Sequence, residues 1–270
     1  MIKKRLIFTL LYNEGYFMLS RNFRLQRVGN LHWLNTHYNF SRVANSIDEL
    51  MILDVTRNGR NLGKFCDTVK KLSEKCFIPI AAGGGIRDIN AARQLLQSGA
   101  DKVVLNTGLF AGDNLQGTMS REFGQQCVVA SIDIKRSAND GWSVWTNNGE
   151  ECQTKDSRDL VAQVLDSNVG EIYLNSMDRD GTGQGLDLET LDLIPSYINK
   201  PVIAAGGAGN VAHLFDALQD NRVDAVATAN LFNFVGDGLQ KARETLVAQG
   251  VDLAMWEPLQ IQTEKLSVSD

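Results

Sequence analysis

The chain has 270 residues, 43% hydrophobic and 22% charged, with a formal net charge of −5 and a pI of about 5.3. That is enough apolar sequence for one large core, and the acidic balance excludes a global basic field for nucleic acid. No apolar stretch reaches the ~20 residues of a membrane helix, and Cys66, Cys76, Cys127 and Cys152 form neither a Cys-x-x-Cys pair nor a metal spacing, the usage of reduced thiols in a cytoplasmic protein.

The first predicted strand is Leu6–Leu10. Its apolar run is too short for a leader peptide before polar Asn13 and Glu14. Further strands are expected at Glu49–Leu53, Ile78–Ala82, Lys102–Leu105, Val128–Ile132, Ile172–Asn175, Val202–Ala205 and Ala225–Ala229. Helix-forming stretches such as Asn90–Gln97 and Val211–Leu218 lie between them, with Gly99, Gly124 and Gly170 as stops. Eight β/α alternations predict an α/β fold, a (β/α)8 TIM barrel of parallel strands. One barrel domain is expected over residues 1–256, with a loose polar tail at 257–270.

The barrel reads as two similar half-barrels. Ile80-Ala81-Ala82-Gly83-Gly84-Gly85 recurs 123 residues later as Ile203-Ala204-Ala205-Gly206-Gly207-Ala208. Asp101 recurs in the same register as Asp224, and Leu109-Phe110 recurs as Leu231-Phe232. Units this long indicate duplication of a half-domain rather than a solenoid.

Chemistry in this architecture gathers where strands end. Both glycine clusters fall there. Such loops let backbone N–H groups approach a phosphate, and tight turns are the plainer explanation of each cluster. Two clusters at matching positions favour a ligand with a phosphate at each end. Asp133 ends the fifth strand and is either an acid–base group or an ion-pair partner of Lys135 or Arg136. Asp54 with Thr56 and the Asp178–Thr182 segment are further polar strand ends. His32, His37 and His213 have no ligand spacing, so no metal is assigned. No cofactor motif stands out, and no Gly-x-Ser-x-Gly elbow supplies a nucleophile. At the strand starts, Arg5, Glu49, Lys102 and Glu171 could close a neutral ring, although spacing alone favours four separate surface residues.

Several stretches together resemble one family. They are Asp48–Asp54, Ala82–Ile86, Gly99–Val103, Asn106-Thr107, Ser131–Arg136, Ser176–Thr182 and Gly206–Gly209. From Lys4 to about Ala254 the chain resembles the cyclase subunit of imidazole glycerol phosphate synthase, HisF. That family is a two-fold (β/α)8 barrel that takes ammonia from a separate glutaminase, HisH, docked on the barrel floor. Two aspartates at the top then drive lyase and cyclase steps on a substrate with two phosphates.

Carried over, the resemblance makes Asp133 the second catalytic aspartate and Arg5, Glu49, Lys102 and Glu171 the ammonia gate. It places Asp101 at the glutaminase interface. Its phosphate sites fall on Gly83, Gly84, Gly85, Asn106 and Thr107, and on Asp180, Gly181, Gly206, Gly207 and Asn230. The first catalytic aspartate falls on Leu11, and a substrate-binding lysine on Leu19. Leucine can neither transfer a proton nor hold a cation, which favours ammonia routing over imidazole-ring formation. The chain looks closer to a side branch of the family, which also has a Leu-Leu pair at this strand end, like Leu10-Leu11. Its members accompany a glutaminase and a sugar amidotransferase that form acetamidino groups on nucleotide-linked sugars for surface polysaccharide (O-antigen). The expected partners are therefore a glutaminase at the strand-start face, a sugar amidotransferase and a phosphorylated small molecule. Two rivals remain, a true cyclase in which Glu14 substitutes for the missing aspartate, and a non-catalytic module that binds a phosphorylated metabolite.

Overall fold

The computed structural model describes residues 3–38, 43, 45–137, 141–230 and 234–254. Eight parallel strands close on themselves. In ring order they are β1 (Arg5–Asn13), β4 (Glu49–Asp54), β5 (Ile80–Gly83), β6 (Lys102–Leu105), β7 (Val128–Arg136), β10 (Glu171–Ser176), β11 (Val202–Ala205) and β12 (Ala225–Thr228). Pairing of β10 with β7 and of β12 with β1 completes the ring and leaves no open edge. The predicted TIM barrel is therefore the observed fold.

The strands are apolar on both faces because both faces are covered. Leu6, Phe8 and Leu10 point outward into the shell beneath the helices. Ile7 points inward, with Met51, Ala81, Val104, Val129, Tyr173, Ile203, Ala205, Ala225 and Ala227. These side chains stack in layers across the barrel interior.

The described helices are α1 (Leu31–His37), α2 (Leu62–Ser73), α3 (Ile89–Gln97), α4 (Leu115–Phe123), α5 (Ser157–Leu165), α6 (Val211–Leu218) and α7 (Gly238–Ala248). Side chains of Asn61, Asp88 and Asn210 cap α2, α3 and α6 by accepting backbone N–H bonds. Phe65, Cys66, Val69 and Leu72 form the buried stripe of α2. A 3-10 turn, Leu188–Leu193, takes the helix position between β10 and β11. No helix among the described residues is long and apolar enough to cross a membrane.

Two strands run past their predicted ends. The apolar runs suggested stops at Leu10 and Ile132, yet β1 and β7 continue to Asn13 and Arg136. Each folds back above the rim into an antiparallel hairpin. β2 (Tyr16–Arg21) and β3 (Arg24–Asn30) follow β1, and β8 (Trp142–Thr146) and β9 (Glu151–Cys152) follow β7. The Glu14-Gly15 turn has φ of 48° and 91°, the positive pair that a tight hairpin needs. β1 and β7 start 123 residues apart and are both nine residues long, so the half-barrel repeat extends to the hairpins. β5 begins two residues later than predicted, after Pro79, which has no N–H to donate to the ladder. Leu231-Phe232 and the predicted tail lie outside the described residues.

One buried ion pair ties the chain ends together. Both terminal nitrogens of Arg243 on α7 donate to the Asp48 carboxylate, each at 2.9 Å, and Arg243 also reaches the Ala254 carbonyl. Asp48 further accepts the Leu6 N–H at 2.7 Å. Removing one partner strands a buried charge. Arg243→Ala is expected to destabilise by about 3–5 kcal/mol, readable as a lower urea midpoint at unchanged slope.

Candidate functional site

The strand-start end of the barrel is closed by four charges. Lys102 Nζ lies 2.7 Å from Glu49 Oε2 and 3.2 Å from both Glu171 carboxylate oxygens. Arg5 Nη1 donates to Glu49 Oε2 at 3.2 Å and to Glu171 Oε1 at 3.0 Å. Each cation thus bridges both anions, in alternating sign. Separate surface residues, the reading that spacing favoured, do not describe this geometry. Burial pushes the Glu49 carboxyl above its usual range, against the pull of Lys102. Glu49 Oε1 is buried and has no hydrogen-bond partner among the described residues.

Asp101 stands at the same end. Its carboxylate accepts the Ile80 N–H at 2.8 Å, and Asp224 accepts the Val202 N–H at 2.9 Å. This repeated clasp, which pins the start of β5 and of β11, is a structural task that sequence spacing did not reveal.

At the opposite end lies a cavity of about 1070 Å3. Leu11, Leu19 and Leu53 form an apolar part of its lining, while Asp133, Asn106 and Asn175 bring polar groups. Leu11 is the inward side chain of β1 at the rim, as Asp133 is of β7. Across the rim from Asp133, β1 thus presents a leucine rather than a carboxylate. Asn175 Nδ2 donates to Asp133 Oδ1 at 2.9 Å, and Asn106 Nδ2 to Oδ2 at 3.2 Å. Burial pushes the Asp133 carboxyl up to about 7, opposed by the Asn175 hydrogen bond. Neither Lys135 nor Arg136 pairs with it; both turn to β8, Lys135 over the Trp145 ring and Arg136 over Trp142. Tyr173 lines the cavity from the barrel interior, its phenol pushed up by burial and eased by Thr9.

The glycine clusters divide. Gly84, Gly85, Gly206 and Gly207 line the cavity. Gly83 does not, because it lies in the barrel wall, where a Cβ would collide with the Val104 carbonyl of β6. Gly84 and Gly207 have positive φ, and a Cβ on either would strike a backbone carbonyl, of Asp54 and of Gly185. Close backbone packing thus accounts for part of the glycine pattern attributed to phosphate. Thr107 accepts the Asn147 N–H at 3.0 Å and, with Asn106 and Asn230, reaches the cavity.

Asp180 carries a different task from the phosphate contact expected of it. Its carboxylate accepts the Ser20 hydroxyl and the Phe23 N–H. An anion engaged in this way clasps the β2–β3 hairpin over the cavity and offers no donor to a phosphate. Gly181, with φ of 66°, lies directly under the Ser20 carbonyl. Gly181→Val is expected to cost about 1–2 kcal/mol in backbone strain and to lift the hairpin. Limited trypsin digestion should then cut faster at Arg21, Arg24 and Arg27. Glu14 is exposed at the β1–β2 turn and lies outside the cavity lining, so it is not placed to replace a carboxylate at Leu11. Asp54 lines the cavity, accepts the Thr56 N–H at 2.9 Å and faces Arg60 at 3.6 Å.

A closed barrel with paired half-repeats, a charged ring at one end and a glycine-lined cavity at the other defines a HisF-like class of β/α barrel. The chain belongs to the histidine biosynthesis protein family, matched over residues 33–236. It is 46% identical over 257 residues, 95% of each chain, to "Putative imidazole glycerol phosphate synthase subunit hisF2" of Parasynechococcus marenigrum. It is 38% identical over 213 residues, 78% of this chain and 82% of the relative, to "Imidazole glycerol phosphate synthase subunit HisF" of Caulobacter vibrioides.

Proposed function

We propose that this chain is the barrel subunit of a glutamine-dependent amidation system. It takes ammonia from a glutaminase at the ring end and delivers it to a phosphorylated acceptor at the cavity end. The observation that carries this reading is the pairing of an intact four-charge ring with a rim that has Leu11 opposite Asp133. Ammonia entry needs the first, and ring formation on an imidazole precursor needs a second carboxylate. Free ammonia in water would take up a proton and lose its nucleophilicity, which an enclosed path prevents. Arg5, Glu49, Lys102 and Glu171 form the gate. Phe77 and Tyr197, 90% and 68% exposed, precede β5 and β11 on the ring face and suit a docked partner. The acceptor is held between Gly84-Gly85 and Gly206-Gly207, with Asn106, Thr107, Gly181 and Asn230 nearby. The final step is acetamidino formation on a nucleotide-linked N-acetyl sugar for surface polysaccharide, completed by a separate sugar amidotransferase.

A second reading is an imidazole glycerol phosphate synthase cyclase subunit, which the names of the relatives favour. Turnover of the open-chain bis-phosphorylated imidazole precursor, with ammonium salt in place of a glutaminase, separates the two. The amidation reading expects no imidazole product from the folded protein. Product at an enzyme-like rate would establish the cyclase.

A further inference from the structure

The first-half end of the cavity gathers arginines from its own strand-end loops. At the first-half end, Arg57, Arg60 and Arg87 all line it beside Gly84 and Gly85. Arg60 lies against Gly85 on the side where a side chain would begin, and a Cβ there would sit 2.5 Å from Arg60 Cδ and Nη1. Gly85 thus makes room for a guanidinium. The Arg60 Nε is buried and donates to nothing among the described residues; the Asp54 carboxylate stands 3.6 Å away. Burial, and then the charge of Arg87, pull Arg60 below its usual range, while Asp54 opposes them. The Asp54 carboxylate is thus the anion that Arg60 faces. Arg57 is held by the Phe23 carbonyl at 2.9 Å and by exposed Glu150 at 3.4 Å. Arg87 is exposed, and no hydrogen bond or ion pair engages it among the described residues.

The second-half end is built otherwise. Gly181, Gly183, Gly206 and Gly207 line it without a lysine or arginine from the β10 or β11 loops. The cations that line the cavity besides the three arginines are Arg21 and Arg24 of the β2–β3 hairpin, Arg21 passing over Gly181, and Lys135 of β7. Arg179, beside Gly207, turns to Gln184 at 3.4 Å.

A monophosphate carries about −1.5 to −2 charges at neutral pH and is matched by backbone N–H groups with one cation. Three guanidiniums lining one end exceed that need. Each presents a planar fork that grips two phosphoryl oxygens at once. We propose that the first-half end of the cavity binds a diphosphate, of the kind found in nucleoside-diphosphate-linked metabolites, clamped by Arg57, Arg60 and Arg87. The second-half end takes a single phosphate or another small anion. This rests on the proposed function only in requiring a phosphorylated ligand in the cavity, and it is independent of the route of ammonia.

The test is calorimetry of the full chain with inorganic phosphate and with inorganic pyrophosphate, free of divalent cations. Pyrophosphate is expected to bind at least about tenfold more tightly, a difference of roughly 1.4 kcal/mol. The double variant Arg57→Ala, Arg87→Ala, both exposed and so dispensable for folding, should lose about tenfold or more of that affinity. Arg179→Ala, beside the other cradle, should change it by less than about twofold. Equal affinity for the two probes would overturn the diphosphate assignment and leave the phosphorylated acceptor standing. Loss on Arg179→Ala with none in the double variant would also overturn it. Absence of binding by either probe would remove both the inference and the phosphate anchoring in the proposed function.

Discussion

Replacing Lys102 by methionine is expected to lower the melting temperature by roughly 5–10 °C, from about 2–3 kcal/mol of lost stability. The physical cause lies in the ring. Lys102 is the closest cation to Glu49, at 2.7 Å, and it also faces both oxygens of Glu171. Glu49 is almost wholly buried, its side chain 2% exposed, whereas Lys102, Glu171 and Arg5 retain 17%, 14% and 20%. Water therefore recovers part of the charge left behind, which places the cost below that of a fully buried pair. With Lys102 gone, Arg5 alone faces two carboxylates, and Glu49 is expected to take up a proton at a higher pH than before. The functional consequence follows from the same geometry. In a complex with its glutaminase, the variant should hydrolyse glutamine without amidating the acceptor in proportion, and the ratio of glutamate released to product formed measures this. A ratio unchanged from the parent, in a protein that still melts cooperatively, would show that the ring does not control entry.

The second large effect concerns Asp133 and has a definite dependence on pH. An unfolded aspartate titrates near 4, while burial holds Asp133 protonated in the folded chain up to about 7. Between those values the folded state binds more protons than the unfolded state, so stability falls as pH rises. Below pH 4 the protonated group carries no charge in either state, and above pH 7 the full penalty of a buried carboxylate applies. Asp133→Asn removes that penalty and keeps a polar group within reach of Asn106 and Asn175. At pH 8 the variant is expected to be more stable than the parent by roughly 2–4 kcal/mol, and at pH 4 the two should nearly coincide. Melting curves at the two pH values check this directly. A difference of the same size at both would mean that folding leaves the Asp133 titration where it is in the unfolded chain.

Much of the scaffold was legible because its signals are local. Short apolar runs such as Ile80–Ala82 and Val202–Ala205 mark strands that are covered on both faces. The Gly-Gly repeat marks their ends, and its constant spacing revealed the half-barrels. The hairpins were not legible in the same way. Phe23 takes φ of 62°, which no turn propensity would assign to phenylalanine; Asp180, far along the chain, holds it there. Long-range partners hid other features. Asp48 and Arg243 are 195 residues apart, and neither the clasp of Asp101 on β5 nor the placing of Arg60 against Gly85 leaves a mark in spacing. At the site, the pair of glycine clusters suggested phosphate, yet Gly83 serves strand packing and Asp180 serves the hairpin. The contrast between Asp133 and Leu11 was readable from the strand ends and is present in the structure at the cavity rim.

The central claim is that ammonia reaches the acceptor through this barrel. The most direct measurement supplies the complex with glutamine labelled with nitrogen-15 in its amide, in an excess of unlabelled ammonium. The nitrogen in the amidated product is then analysed by mass spectrometry. Passage through the ring predicts product that keeps the label despite the excess, and loss of label when Lys102→Met replaces the parent. Product that carries the isotope ratio of the surrounding ammonium in the parent complex would contradict the account.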